Sequence, residues 1–263
     1  MKKQILFFVC LIVLFGCKEK VKSEKNTRVE KVKPTFQELK NELIITAIEH
    51  ATAILEWKDI TIYIDPVGDL TYYEKQKSPN IILITDIHGD HLSVKTLEAL
   101  DLSNTKIIAP QAVIDKLPEN IALSATVLSN GNSITIATVG IEAIPMYNLR
   151  EEALKFHNKG RGNGYIISIN SERIYFSGDT EDIPEMRALK NIDRAFICMN
   201  LPYTMTESSA ASAVLEFKPK LVYPYHYRGR PTISDVTLFK KLVNEGNSSI
   251  EVIQLDWYPK EAY

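Results

Sequence analysis

The sequence predicts an α/β fold of layered sheets covered by helices, and three observations carry that prediction. Apolar runs of strand length recur from Leu39 onward between turn signals, four segments of helical period are interspersed among them, and no period repeats along the chain. In order, "LIITAI", "TAILEW" and "ITIYIDP" read as successive strands of a meander. "NIILIT" is continuously apolar, as expected of a strand buried on both faces. "LSVKTLEAL" then offers Ser93 as an N-cap and Val94, Leu97 and Leu100 as the apolar stripe of a helix. The run "KIIAP" predicts a strand, "PQAVIDKL" a helix, and "SITIATVGIEAIP", "GYIISI", "RIYFSGD" and "RAFICMN" further strands. Cys198 in the last of these reads as a buried strand residue. A helix "ESSAASAVLEF" behind Thr206, a strand "LVYPYHY", a helix in "ISDVTLFKKLVNE" and a strand "IEVIQLDW" complete the series. With no second linker, residues 39–263 form one domain of about 225 residues.

Residues 1–17, "MKKQILFFVCLIVLFGC", have two lysines, an apolar stretch of 12 residues and a terminal cysteine. A bilayer-spanning helix needs about 20 apolar residues, so the segment suits a secretory signal better. The closing "LFGC" resembles the lipobox of bacterial lipoproteins, which implies cleavage before Cys17, a lipid on Cys17, and a place in the cell envelope outside the cytoplasm. The alternatives are an uncleaved anchor or a plain secretory signal. Residues 18–38 carry seven basic and four acidic residues without apolar periodicity and read as a solvated tether. The remaining 225 residues hold 22 basic and 29 acidic residues, a net charge of about −7, which disfavours a nucleic-acid partner.

Residues 84–91, "ITDIHGDH", concentrate two of the chain's five histidines among two aspartates, between a buried strand and a capped helix. Imidazoles and carboxylates are ligands that first-row divalent metals prefer, and alternate residues of such a turn can point to two neighbouring positions. One ion could take Asp86 and His88, the other Asp90 and His91.

"DIHGDH" resembles the HxHxDH motif of the metallo-β-lactamase superfamily, with Asp86 standing where the first histidine usually sits. "FHNKGRGNGYIISINSERIYFSGDT" is similar to that family's next histidine followed by its GDT motif, and "LVYPYHYRG" to the strand that delivers its last histidine. The resemblance implies a four-layer αββα sandwich and two divalent ions. Zinc is the leading candidate, with manganese or iron competing at the site hardened by Asp86. It assigns Asp86, His88 and His157 to one ion and Asp90, His91 and His226 to the other, with Asp179 between them. The expected chemistry is a metal-bridging hydroxide attacking a small ester, lactone or phosphodiester, with Asp90 orienting the water or accepting its proton. Tyr147 or Asn148 is the alternative to His157 as a ligand.

Within the superfamily, "IEHATAILEW" and "IYIDP" look like the entrance strands of ascorbate-6-phosphate lactonase-like hydrolases, which puts His50 and Asp65 near the metals. "NLPYTMT" resembles that group's metal-facing loop and makes Tyr203 a substrate-contact candidate; Arg228 is either an anion-binding residue or a surface arginine. The competing function is a metal-binding lipoprotein without catalysis. Redox work with a flavin partner, nuclease activity and β-lactam resistance fit the chain less well, and the substrate and oligomeric state stay open.

Overall fold

The computed structural model describes residues 43–258, so the expected signal over 1–17, the expected lipidation at Cys17 and the expected tether over 18–38 lie outside the described residues. Two sheets face each other. The first has the order β1 (Ile44–Glu49), β2 (Thr52–Trp57), β3 (Ile60–Ile64), β4 (Ile81–Leu83), β5 (Lys106–Ala109) and β6 (Ala125–Val127). It begins as an antiparallel meander and turns parallel from β3 onward. The second runs from β7 (Ser133–Ile136) through β8 (Val139–Met146), β9 (Gly162–Ile169), β10 (Glu172–Phe176), β11 (Arg194–Cys198) and β12 (Leu221–Tyr225) to β13 (Glu251–Val252). Its β7 to β10 are antiparallel and its β10 to β13 parallel.

The layering follows from the period of two along each strand. On β2, β3 and β4, Ala53, Leu55, Ile62, Ile64, Ile81 and Leu83 enter the core shared with the second sheet. The residues between them, Ile54, Tyr63 and Ile82, enter a separate core on the outer face. There they meet α1 (Val94–Ala99), α2 (Gln111–Ile114) and α3 (Glu119–Ala122) through Leu97, Val113 and Ile121. The second sheet is covered by α4 (Pro184–Arg187), α5 (Glu207–Phe217) and α6 (Val236–Gly246), which supply Met186, Val214, Phe217, Phe239 and Val243. The expected αββα layering is therefore present. The near-continuous apolar runs of β9 and β11 are explained by burial on both faces.

Most predicted elements are where the sequence places them, including Ser93 and Thr206 as N-caps whose side chains accept from Thr96 N and Ser209 N. Three differences have physical causes. "IEVIQLDW" pairs only at Glu251 and Val252, because the chain then leaves the sheet edge to bury Trp257 and Tyr258. The fourth helix of the sequence reading, expected within "ISDVTLFKKLVNE", begins late, at Val236, because Asp235 caps it with a carboxylate that accepts from Leu238 N. The strand β6 and the one-turn helices α3 and α4 are too short to carry a period.

Candidate metal centre

The candidate ligands sit where strands end. Asp65 follows β3, Thr85 and Asp86 follow β4, Asp179 follows β10 and His226 follows β12 at once, all at the carboxyl ends of strands. His50 occupies the turn between β1 and β2, and His157 lies in the connection from β8 to β9. Three of these turns are held in the left-handed region by residues with a Cβ: His50 at φ 54°, Asp65 at φ 45° and His226 at φ 47°. Such backbone costs on the order of 1–3 kcal/mol per residue and persists where the surroundings over-determine it. Gly178, at φ 60° in the "SGD" turn, admits no side chain, since a Cβ there would lie 2.4 Å from Met146 Sδ.

All five histidines of the chain converge on this edge. His91, His157 and His226 are buried with Asp86 and Asp179, whereas Asp90 and His88 keep side-chain exposures of 41% and 40% and form the mouth. Three groups of side chains have ligand atoms all within 4.8 Å of one another: Asp86, His88 and His157; His91, Asp179 and His226; and His50, Asp90 and His226. Asp179 spans the first two, with Oδ2 3.1 Å from His157 Nε2 and Oδ1 3.1 Å from His226 Nε2. Asp86, His88 and His157 group as the resemblance implies, whereas Asp90 groups with His50 and His226 and not with His91.

The donor set fits cations. His91 Nδ1 is 2.7 Å from Asp65 Oδ2, which leaves its Nε2 as a lone pair in the neutral ring, and that Nε2 faces His226 Nε2 at 3.1 Å. Asp179 Oδ1 is buried without a hydrogen-bond partner although the imidazole is so near. The two imidazole nitrogens and the Asp179 carboxylate converge on one buried point, a donor set of the kind a divalent ion takes up. The electrostatics agree. Burial opposes charge on His91, yet the carboxylates of Asp179, Asp65 and Asp90 hold its pKa well above the usual imidazole value. Burial would likewise raise Asp179, but His226, His91 and His157 hold it well below the carboxylate range. Asp90 is lowered in the same way, burial being outweighed by His91, His226 and His50. The cluster is thus rich in negative charge and recruits positive charge from its own imidazoles.

Asp65 belongs to none of the three groups but orients His91, which belongs to one. Its carboxylate accepts from Thr85 N at 2.7 Å and Thr85 Oγ1 at 2.6 Å besides meeting His91 Nδ1, a carboxylate-imidazole pairing typical of metal-binding histidines. His50 is oriented in turn. The Tyr258 hydroxyl accepts from the backbone N–H groups of Tyr227 at 3.1 Å and Arg228 at 3.0 Å, so its own proton points to His50 Nδ1 at 2.7 Å. Neutral His50 therefore carries its proton on Nε2, 3.4 Å from Asp90 Oδ2. Burial and then His226 lower the His50 pKa to about 4, which keeps it neutral.

Other predicted residues are placed as follows. Tyr147 turns its hydroxyl to Glu185 and Lys159, and Asn148 donates to the carbonyls of Ala153 and Tyr203, so His157 is the residue brought to the cluster. Tyr203 is half-buried with its ring edge-on to Phe156 at 5.0 Å, next to His157. Arg228 stacks its guanidinium 4.5 Å over the Tyr258 ring. Cys198 is buried in β11, and burial followed by the Asp179 charge pushes its thiol up to about 12. Sequence reading missed Arg161, which forks onto Asp86, and Tyr258, which is 208 positions from His50. No spacing rule links residues so far apart.

Comparisons with known proteins agree with this geometry. The family profile described as "Beta-lactamase superfamily domain" matches residues 44–226. A UPF0173 metal-dependent hydrolase of Thermococcus onnurineus is 32% identical over 171 residues, 63% of this chain and 75% of its own length. One from Pyrococcus furiosus is 30% identical over 212 residues, 76% of this chain and 92% of its own. Among solved structures, a Parabacteroides distasonis protein described as a metal-dependent hydrolase superposes with a TM-score of 0.73 at 40% identity, covering 82% of this chain and 94% of that one. The metallo hydrolase Igni18 of Ignicoccus hospitalis, with a TM-score of 0.67 at 23% identity over 81% of this chain and 94% of its own, shares the fold.

Proposed function

This chain belongs to the β-lactamase superfamily, and from that premise we propose that it is a binuclear metal-dependent hydrolase acting on a small ester, lactone or phosphodiester. One observation carries the reading: Asp179 reaches two separate clusters of imidazoles and carboxylates with its two oxygens. Asp86, His88 and His157 would hold one divalent ion and Asp90, His91 and His226 the other, with Asp179 shared. Bound there, the ions would acidify a water into a nucleophile and neutralise charge that develops on the substrate. Zinc suits the imidazole-rich half, while the oxygen donor at Asp86 admits manganese or iron in the other.

The chain's own residues supply the rest. Asp90 stands at the mouth, held by the Nε2–H of His50, and is placed to orient the attacking water and accept its proton. The buried floor of His91, His157 and His226 excludes bulk water beneath it, which strengthens every charge interaction there. Tyr203 and Phe156 form an aromatic wall beside His157 for the organic part of the substrate. Arg228 offers positive charge near His50 for an anionic group.

The entrance strands "IEHATAILEW" and "IYIDP" support placing the chain near the ascorbate-6-phosphate lactonase-like hydrolases. Residues 1–17 support a lipid anchor at Cys17 with a tether over 18–38 and the catalytic domain from 39 to 263, in the bacterial cell envelope outside the cytoplasm. Labelling with a fatty-acid analogue, abolished by Cys17→Ser, tests the anchor. For the hydrolase, the test is metal per chain in the purified full-length protein together with turnover on phosphodiesters, lactones and acyl esters. We expect about two ions per chain and turnover of one class. Absence of metal ends the reading, and metal without turnover favours a non-catalytic metal-binding protein.

A further inference from the structure

The two halves of the site differ in how a carboxylate is held. Asp86, fully buried, meets Arg161 through a two-pronged fork, Nε to Oδ1 at 3.0 Å and Nη2 to Oδ2 at 2.7 Å. Arg161 is itself largely buried and its Nη2 also donates to the Phe156 carbonyl at 2.6 Å. The fork is built into the fold. Asn163 N donates to the Thr85 carbonyl at 2.9 Å, and a Cβ on Gly162 would lie 2.9 Å from the same oxygen, so the start of β9 is pressed against the end of β4. Arg161 is thereby fixed beside Asp86, although the two are 75 positions apart.

The same Oδ2 that takes Nη2 lies 2.8 Å from His88 Nδ1 and shares a ligand cluster with His157. Asp86 therefore has two neighbours of opposite kind: a permanent cation on one side and the position of a metal cation on the other. The other two members of its cluster are imidazoles, neutral when they bind metal. A guanidinium never loses its proton, so the Asp86–Arg161 pair contributes no net charge.

We propose that Arg161 is a positioning and charge-compensating residue that makes the Asp86 carboxylate act on its metal ion with the charge of a third neutral imidazole. The inference rests on the metal-centre reading above. It assigns the Asp86, His88 and His157 half a weaker hold on its ion than the half of Asp90, which has no guanidinium partner among the described residues.

The experiment is titration of the metal-stripped full chain with manganese and, separately, zinc, followed by calorimetry and by metal analysis after dialysis. Four substituted chains are compared with the unsubstituted one, each checked for folding by circular dichroism. Asp86→His places a neutral ring beside the buried guanidinium and should weaken the weaker class of site about tenfold or more, because Arg161 then repels the ion uncompensated. Arg161→Met should bind that ion more tightly than the unsubstituted chain, because the Asp86 charge is then no longer cancelled. The combination Asp86→His with Arg161→Met should recover most of what Asp86→His lost. The combination Asp86→Leu with Arg161→Met, an apolar replacement of the kind buried ion pairs often tolerate, should fold and lose that ion.

A weaker ion in Arg161→Met, no recovery in the histidine-methionine combination, or full metal in the leucine-methionine combination would each overturn the inference. A chain that takes up neither metal before any substitution would end the metal-centre reading itself. Normal uptake that is indifferent to Arg161 ends this inference alone.

Discussion

The half of the site formed by His91, His226 and Asp90 and the half formed by Asp86, His88 and His157 are built from the same donor types and anchored by different means. In the first, the ligands are locked by neutral and anionic partners: Asp65 and Thr85 fix the ring of His91, and the His226 ring packs 3.8 Å from that of His50. Left-handed backbone at Asp65, His50 and His226 holds the partners themselves. In the second, His88 is 40% exposed and the carboxylate is tied to a cation. The difference teaches that preorganisation and affinity are separate properties. One half is anchored by neutral and anionic partners, the other by a cation that would oppose an ion bound beside it.

The strongest way to break the comparison is at the residue both halves share. Asp179→Asn should take metal content from about two ions per chain to below one, a larger effect than the about 10–100-fold that losing an orienting partner costs. Metal analysis after dialysis checks it, and two retained ions would show that Asp179 bridges nothing. His88→Ala should remove one ion and leave the other. Its exposed side chain makes the change in thermal stability of the metal-free chain small, within about 0.5 kcal/mol. Loss of both ions would show that the halves are not independent. Asp65→Asn should sharpen the contrast from the other side. An amide NH2 facing His91 Nδ1 disturbs the ring's tautomer, so the tighter ion should weaken about 10–100-fold while the weaker one is unchanged. Equal weakening of both would contradict the anchoring described here.

How much of this was legible in the sequence follows the same division. The strands of β2, β3 and β4 announced themselves because burial on two faces leaves continuous apolar runs, and "DIHGDH" announced the mouth because its ligands are neighbours in sequence. His157, Asp179 and His226 became legible through resemblance to a family pattern, since strand ends gather residues that no local rule connects. Arg161 was illegible. It lies in "NKGRGNG", which reads as a turn, and its partner is supplied by packing of β9 against β4. Tyr258 was illegible for a similar reason: it follows the run "IEVIQLDW", which reads as a strand, whereas the chain leaves the sheet after Val252 to bury the ring beside His50. The one-turn helices were lost because a single turn has no period.

The last expected effect concerns His50, and it separates the anchoring of the first half from its metal affinity. In the metal-free chain the folded His50 titrates at about 4, below its ordinary 6.5, because burial and then His226 oppose the charge. The unfolded chain therefore binds this proton first as pH falls. Above pH 6.5 both states are neutral and His50 contributes no pH dependence. Between 6.5 and about 4 the unfolded state gains the proton alone and stability falls; below about 4 the loss is complete. At about 1.4 kcal/mol for each unit of pKa, the full loss is about 3 kcal/mol. His50→Gln, which cannot titrate but keeps a donor for Asp90, should flatten this part of the profile relative to the unsubstituted chain. Urea unfolding midpoints of the two metal-stripped chains at pH 7 and pH 4.5 make the comparison. If the difference between them does not narrow as the solution is acidified, His50 is not held neutral by its burial, and the tautomer that fixes Asp90 through Tyr258 would have to be abandoned with it.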